Sequence, residues 1–149
     1  MLPFRFRLAT LLRLREADRD ERRSHLADAQ RAEDIVRTRI AGIDGELRQL
    51  RGESARLSRP GTINVDELME INRLELLLAA ERQAAVQQQK LVAEEVERRR
   101  LALVAADREV RVLERLRDTQ QERHRQEADR QERKQMDEAA AHAFVRKDR

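Results

Sequence analysis

Glu138 and His142 stand four residues apart, the spacing that sets two side chains on one helix face and could offer a divalent metal two ligands. Two ligands do not close a site. His25 and His124 lie far off in sequence, so the pair reads as part of a solvated helix face. The absence of Cys excludes a thiolate metal site, a cysteine nucleophile and a disulfide scaffold together. No P-loop, dinucleotide fingerprint or nucleophile elbow occurs, and the four Gly are too scattered to cradle a phosphate. These residues predict no enzyme, no cofactor, no metal site and no small-molecule substrate.

Arginine is the remaining chemistry, since all but three of the 32 basic residues are Arg. The densest basic block is Glu97-Arg98-Arg99-Arg100. Nucleic-acid binding needs an excess of positive charge on a face, or aromatics on which bases stack. From Thr119 onward eight basic residues face seven acidic ones, and only 2% of the 149 residues are aromatic, so a nucleic-acid role is the remoter alternative. A charged content of 41% with a net charge of +3 describes a mixed, solvated surface, and three Phe without Trp or Tyr cannot fill a layered core. The longest apolar run, 101–106, is far short of the roughly 20 residues that span a bilayer. Arg5, Arg7, Arg13 and Arg15 precede the first acid, Glu16, and could pass for a transit peptide, but the heptad pattern continues through them.

What must position these charges is helix. One Pro and one Gly fall together in Ser58-Arg59-Pro60-Gly61-Thr62, which divides the chain into helices expected over 5–58 and 64–145 with a turn over 58–64. Asn64 is placed to cap the second helix, Glu67 to complete a capping box, and Ile63 and Leu68 to form a hydrophobic staple. Pro3 sits ahead of the first helix, whose interior Gly42, Gly45 and Gly52 make it the softer half.

Leu26, Ala29, Glu33, Val36, Ile40, Ile43, Leu47, Leu50, Ser54 and Leu57 recur at alternating steps of three and four, as do Leu68, Ile71, Glu75, Leu78, Arg82, Ala85, Gln89, Val92, Val96, Arg99, Leu103, Ala106, Val110 and Leu113. That is the period of a left-handed coiled coil. A short connection makes the helices antiparallel neighbours, so paired residue numbers add to a constant, here about 121. Leu50 then meets Ile71, Ile43 meets Leu78, Val36 meets Ala85 and Ala29 meets Val92, and the same rule brings Leu12 to Val110 and Leu8 to Leu113. The fold class read from this is all-α: a long antiparallel two-helix coiled-coil hairpin forming one domain over 1–149.

Glu33 opposite Gln89 is either tolerated irregularity or a register lock. Arg15, Arg19 and Arg22 fall opposite Ala106, Leu103 and Arg99, where the coil should loosen and Arg stems can cover the seam. At ~1.5 Å per residue the first helix is ~80 Å long and the second ~120 Å, so a single-helix overhang is expected from about residue 118. With Ile71 and Leu78 in the seam, Leu76 and Leu77 point away from it, as do Leu101, Val104 and Val112. Such stripes are docking surfaces or harmless singletons.

Both ends resemble a known family. Phe4-Arg5-Phe6-Arg7-Leu8-Ala9-Thr10-Leu11-Leu12 resembles the F-x-F-x-L-x-x-L-L opening of the flagellar type III export protein FliJ family. Val112-Leu113-Glu114-Arg115-Leu116 is similar to its L-E-K-L stretch, and Arg130-Gln131-Glu132-Arg133-Lys134-Gln135-Met136-Asp137-Glu138 to its E-x-K-x-x-D-E ending. The resemblance implies a cytoplasmic component at the flagellar base, peripherally associated with the inner membrane. Such a protein acts as a rotary-stalk-like coiled coil that links the hexameric export ATPase to the membrane export gate and assists export chaperones. The stalk proteins of virulence-type secretion share the design and are the nearest alternative. On this reading the ATPase contact lies at the open end of the hairpin, through Phe4, Phe6, Arg123, Arg125, Glu127, Arg130, Glu132, Arg133, Lys134, Asp137 and Glu138. The outward residues Leu76, Leu77, Leu101, Val104 and Val112 are left for the gate or a chaperone. The bland reading of the tail is that its charges keep a frayed helix in solution.

Overall fold

Heptad-spaced apolar residues need a second helix to cover them, and the chain supplies one. The computed structural model describes residues 2–61 and 63–147 and contains α1 (Ala9–Leu57) and α2 (Val65–Lys147), of 49 and 83 residues. The chain is an all-α helical hairpin, without a strand among the described residues. It divides into two units, one made of Glu21–Leu103 and the other of Met1–Asp20 with Val104–Arg149.

In the unit Glu21–Leu103, Ala29, Val36, Ile43 and Leu47 of α1 and Ile71 and Ala85 of α2 are buried. Every other position of the two heptad tracks within this unit is half-buried, the polar Glu33, Ser54, Glu75, Arg82, Gln89 and Arg99 included. A single partner helix covers a seam from one side only, which is why so few residues lose all their exposure. Ala29 and Val92 line one groove between the helices, at the register of the constant pairing sum. Glu33 bonds Arg37 at 2.9 Å on its own helix, and no hydrogen bond joins it to Gln89 among the described residues. The cross-helix polar bonds are made elsewhere: Arg82 donates to Asp44 at 2.6 Å and Arg99 to the carbonyl of His25 at 2.7 Å.

The break between the helices follows local chemistry. The Ser58 amide and hydroxyl both donate to the Ser54 carbonyl, at 3.1 and 2.7 Å, closing the last turn of α1. Gly61 has φ +138°, a region that a side chain makes strained. Asn64 is the N-cap of α2: its side-chain oxygen accepts from the amides of Asp66 and Glu67 at 3.2 and 3.4 Å. Ile63 stays exposed while Leu68 turns into the seam, so the staple anticipated between them is open. Thr62 of the expected turn lies outside the described residues.

The glycines carry opposite predictions. A Cβ at Gly42 or Gly52 meets nothing within 4 Å, and both are mid-helix. Gly42→Ala and Gly52→Ala should each stabilise α1 by up to about 1 kcal/mol. Gly61→Ala should destabilise by about 1–3 kcal/mol through its positive φ. Thermal unfolding followed by helical dichroism reads both signs; a lowered melting temperature for Gly42→Ala would mean that its face is covered.

In the unit made of Met1–Asp20 and Val104–Arg149, Leu12, Ala106 and Val110 form the core, Val110 at 0% exposure. Arg15 leaves the seam to pair with Glu109 at 3.1 Å, while Arg19 and Glu16 lie half-buried. The helix does not reach back to residue 5 as its heptads suggested. It starts at Ala9, preceded by a turn in which the Ala9 amide donates to the Phe6 carbonyl at 3.2 Å. No Ser, Thr, Asp or Asn stands at the cap, no acid lies in the first turn, and Arg5 and Arg7 crowd the positive end of the dipole. Ahead of the helix, Phe4 and Phe6 are half-buried while Arg5 and Arg7 are exposed, the alternation of an extended strap. The Phe4 ring lies 5.7 Å from that of His124. A constant pairing sum would bring residue 4 opposite a position near 117. Extended chain advances ~3.3 Å per residue against ~1.5 Å in a helix, so a few non-helical residues carry Phe4 about two turns further along α2.

Candidate partner-binding surfaces

The seam between the helices decides which residues are left on the surface. In Glu21–Leu103, Leu76 and Leu77 are 65% and 53% exposed and line a shallow groove with Met69, Asn72 and Arg73. Leu101 is also exposed, some 24 residues further along α2 and hence roughly 36 Å away, so it belongs to a different patch. In the other unit Val112 is exposed while Val104 is half-buried.

On α2 the last half-buried position is Ala128, and every described residue from 129 to 147 is exposed. Half-buried positions thus continue past 118, at His124, against which the Phe4 ring lies, and at Ala128. Arg125 is tied to Glu122 at 3.1 Å, whereas Arg123, Glu127, Arg130, Glu132, Arg133, Lys134, Asp137 and Glu138 are exposed and make no ion pair among the described residues. Glu138 and His142 share this bare face, and no cluster of three potential metal ligands forms among the described residues. No helix among the described residues is long and apolar enough to cross a membrane.

Met136, Phe144 and Val145 are exposed apolar residues that a charge-centred reading of the tail passed over. Met136, Ala140 and Phe144 follow at steps of four and share a face. That spacing was the available signal, masked by the charges between.

Electrostatics distinguishes the arginine clusters. Arg98 and Arg99 hydrogen-bond Glu95 and hold its carboxyl below the ordinary carboxylate value, and Arg100 does the same to Glu97. The densest basic block is thus matched by acids on its own helix. Asp44 is lowered by its bond to Arg82, and Glu122 by its bonds to Arg125 and Gln126.

Compared with known protein families, residues 4–149 match the family described as Flagellar FliJ protein. No curated protein and no solved structure matches the chain.

Proposed function

Because the chain belongs to the flagellar FliJ protein family and is a flagellar export-related protein, we propose that it is a non-enzymatic coiled-coil stalk linking the hexameric export ATPase to the membrane export gate, and that it assists export chaperones. Its place would be cytoplasmic, at the inner-membrane face of the flagellar base. The observation that carries the ATPase contact is the bare helix after Ala128, next to a paired N-terminal segment in the same unit. A wet, reversible contact inside a ring suits alternating charge better than a permanent apolar seam does. Arg123, Arg125, Arg130, Arg133 and Lys134 are assigned to acidic loops of the ring, and Glu127, Glu132, Asp137 and Glu138 to basic ones. Phe4 and Phe6 set the base of this contact by packing the strap. The family is the flagellar one, and no observation favours the virulence-type alternative. The paired Arg98-Arg99-Arg100 block likewise lends nothing to nucleic-acid binding.

The gate or a chaperone is assigned to the outward apolar residues, foremost the Leu76 and Leu77 groove, with Leu101, Val104 and Val112 as secondary contacts. Leu76→Glu should weaken capture of the gate's cytoplasmic part or of a chaperone at least tenfold, since a carboxylate would enter the apolar contact. The melting temperature should stay within a degree or two of the parent, because surface substitutions of this kind cost under about 0.5 kcal/mol. Co-purification with the export ATPase and gate protein tests the whole reading. A variant that melts early, or that binds both partners normally, removes the groove from it.

A further inference from the structure

In the unit Glu21–Leu103 one flank of the paired helices is apolar and bare. Leu74, Leu77, Ala84 and Leu91 each stand one position before a residue of the α2 seam track, so they share a side of α2, and all four are exposed. On α1, Ala32 and Ile35 stand one position before Glu33 and Val36 and are exposed as well. Ala29, Ala32, Leu91 and Val92 line one groove, so the two flanks face the same way. Leu91 and Ile35 are 65% and 70% exposed, with nothing of their own chain over them. Glu70, Glu81, Gln88, Glu95 and Arg98 complete the row at steps of three and four, which makes 70–98 a second heptad stripe on α2.

Reversed upon itself, this stripe is self-complementary. In an antiparallel pairing with a copy of itself about Ala84, the numbers of facing residues add to about 168. Leu77 then meets Leu91 of the second copy, Ala84 meets Ala84, and Glu81 meets Gln88. Leu74 falls opposite Glu94 and Glu95, whose methylenes can cover it. At the ends Glu70 meets Arg98, and Arg73, beside the stripe, meets Glu95. Glu70 and Arg73 make no ion pair among the described residues, while Arg98 and Glu95 bond each other and would each gain a second partner. A parallel copy would instead set Glu70, Glu81, Glu95 and Arg98 each against itself, which is repulsive at every one of those layers.

We propose that this face binds a second copy of the chain in a closed, antiparallel two-fold dimer, α2 of each copy lying along the groove of the other. The reversed complementarity decides the occupant: a two-fold interface requires it, and a foreign helix has no use for it. The contact would be ~42 Å long between helices ~10 Å across. Widened by the α1 flanks it removes on the order of 1,200 Å², the lower end of a stable interface, so the dimer is reversible with a Kd on the order of micromolar. The proposal goes beyond the stalk reading. It covers Leu77 and leaves Leu76 outside, so a second copy and the partner assigned to the Leu76 and Leu77 groove exclude one another.

Sedimentation equilibrium of the full-length protein should show twice the 17.5 kDa chain mass at high concentration and dissociation on dilution. Leu91→Glu should weaken the dimer about a hundredfold, tenfold at each of two symmetric contacts, with its helical dichroism kept because Leu91 is exposed in the single chain. Crosslinking fixes the direction, since the chain has no Cys of its own. Ala84→Cys should crosslink to itself with a short bismaleimide. Leu77→Cys and Leu91→Cys should crosslink when the two variants are mixed and not when either is alone, because each lies ~21 Å from its own copy. A chain that stays monomeric at ~100 µM, leaving the groove to another protein's helix, would overturn the proposal. So would an undiminished dimer of Leu91→Glu, or self-crosslinking of Leu77→Cys and Leu91→Cys without crosslinking to each other.

Discussion

Removing residues 129–149 should reduce stimulation of the export ATPase to its basal rate and leave the melting temperature of the paired helices where it was. The two halves of this expectation rest on one boundary. Half-buried positions of α2 continue to Ala128; beyond it, all described residues are exposed, so their loss removes little buried apolar area. A helix with no covering partner gains little from packing and contributes correspondingly little to global stability. Its alternating charges and the Met136, Ala140 and Phe144 face are what a ring could grip. The cut must fall after Ala128: one made at Thr119 would also remove His124, against which Phe4 packs, and would confuse detachment of the strap with loss of the contact. Full stimulation by the shortened protein would move the ATPase contact to the turn or to the sides of the helices.

Val110→Asp should have the largest effect on stability, about 3–5 kcal/mol, and Val112→Asp almost none. The two valines differ by two positions and by nearly everything else: Val110 is at 0% exposure, in the core with Leu12 and Ala106, and Val112 is 65% exposed. A carboxylate at 110 would be desolvated without a partner, and the substitution also removes the apolar contact. Among the described residues of this unit only Leu12, Ala106 and Val110 are buried, so there is little else to hold α1 against α2 there. Hydrogen exchange should show residues 9–20 losing protection, and trypsin should cut at Arg13, Arg15 and Arg19. Equal damage from Val112→Asp would mean that the seam runs through the opposite face.

How far the sequence carries can be seen residue by residue. Leu76 and Leu77 lie off the heptad and are exposed; Asn64 stands before an apolar-periodic run and caps it. Such features depend on neighbours within one or two turns, where spacing is geometry. The strap shows where this stops. Phe4 and Phe6 alternate with Arg5 and Arg7, a period of two that was open to reading, but the heptads downstream invited extending the helix through them. Local propensity could not show that an extended segment would find cover on α2. Val104 shares the outward position of Val112 and is nonetheless half-buried, which spacing did not anticipate.

By itself, then, the sequence determined the all-α class, the two heptad faces and the break near Pro60 and Gly61, because periodicity, caps and composition act over a few residues. Only the tertiary structure decided that Arg82 pairs with Asp44 and Arg99 with the His25 carbonyl, that Glu33 and Gln89 do not bond, and that cover on α2 lasts to Ala128. The last of these depends on the different rise of the paired segments, ~1.5 Å per residue in helix and ~3.3 Å in the strap; the others depend on which long side chains the helix–helix seam brings within reach.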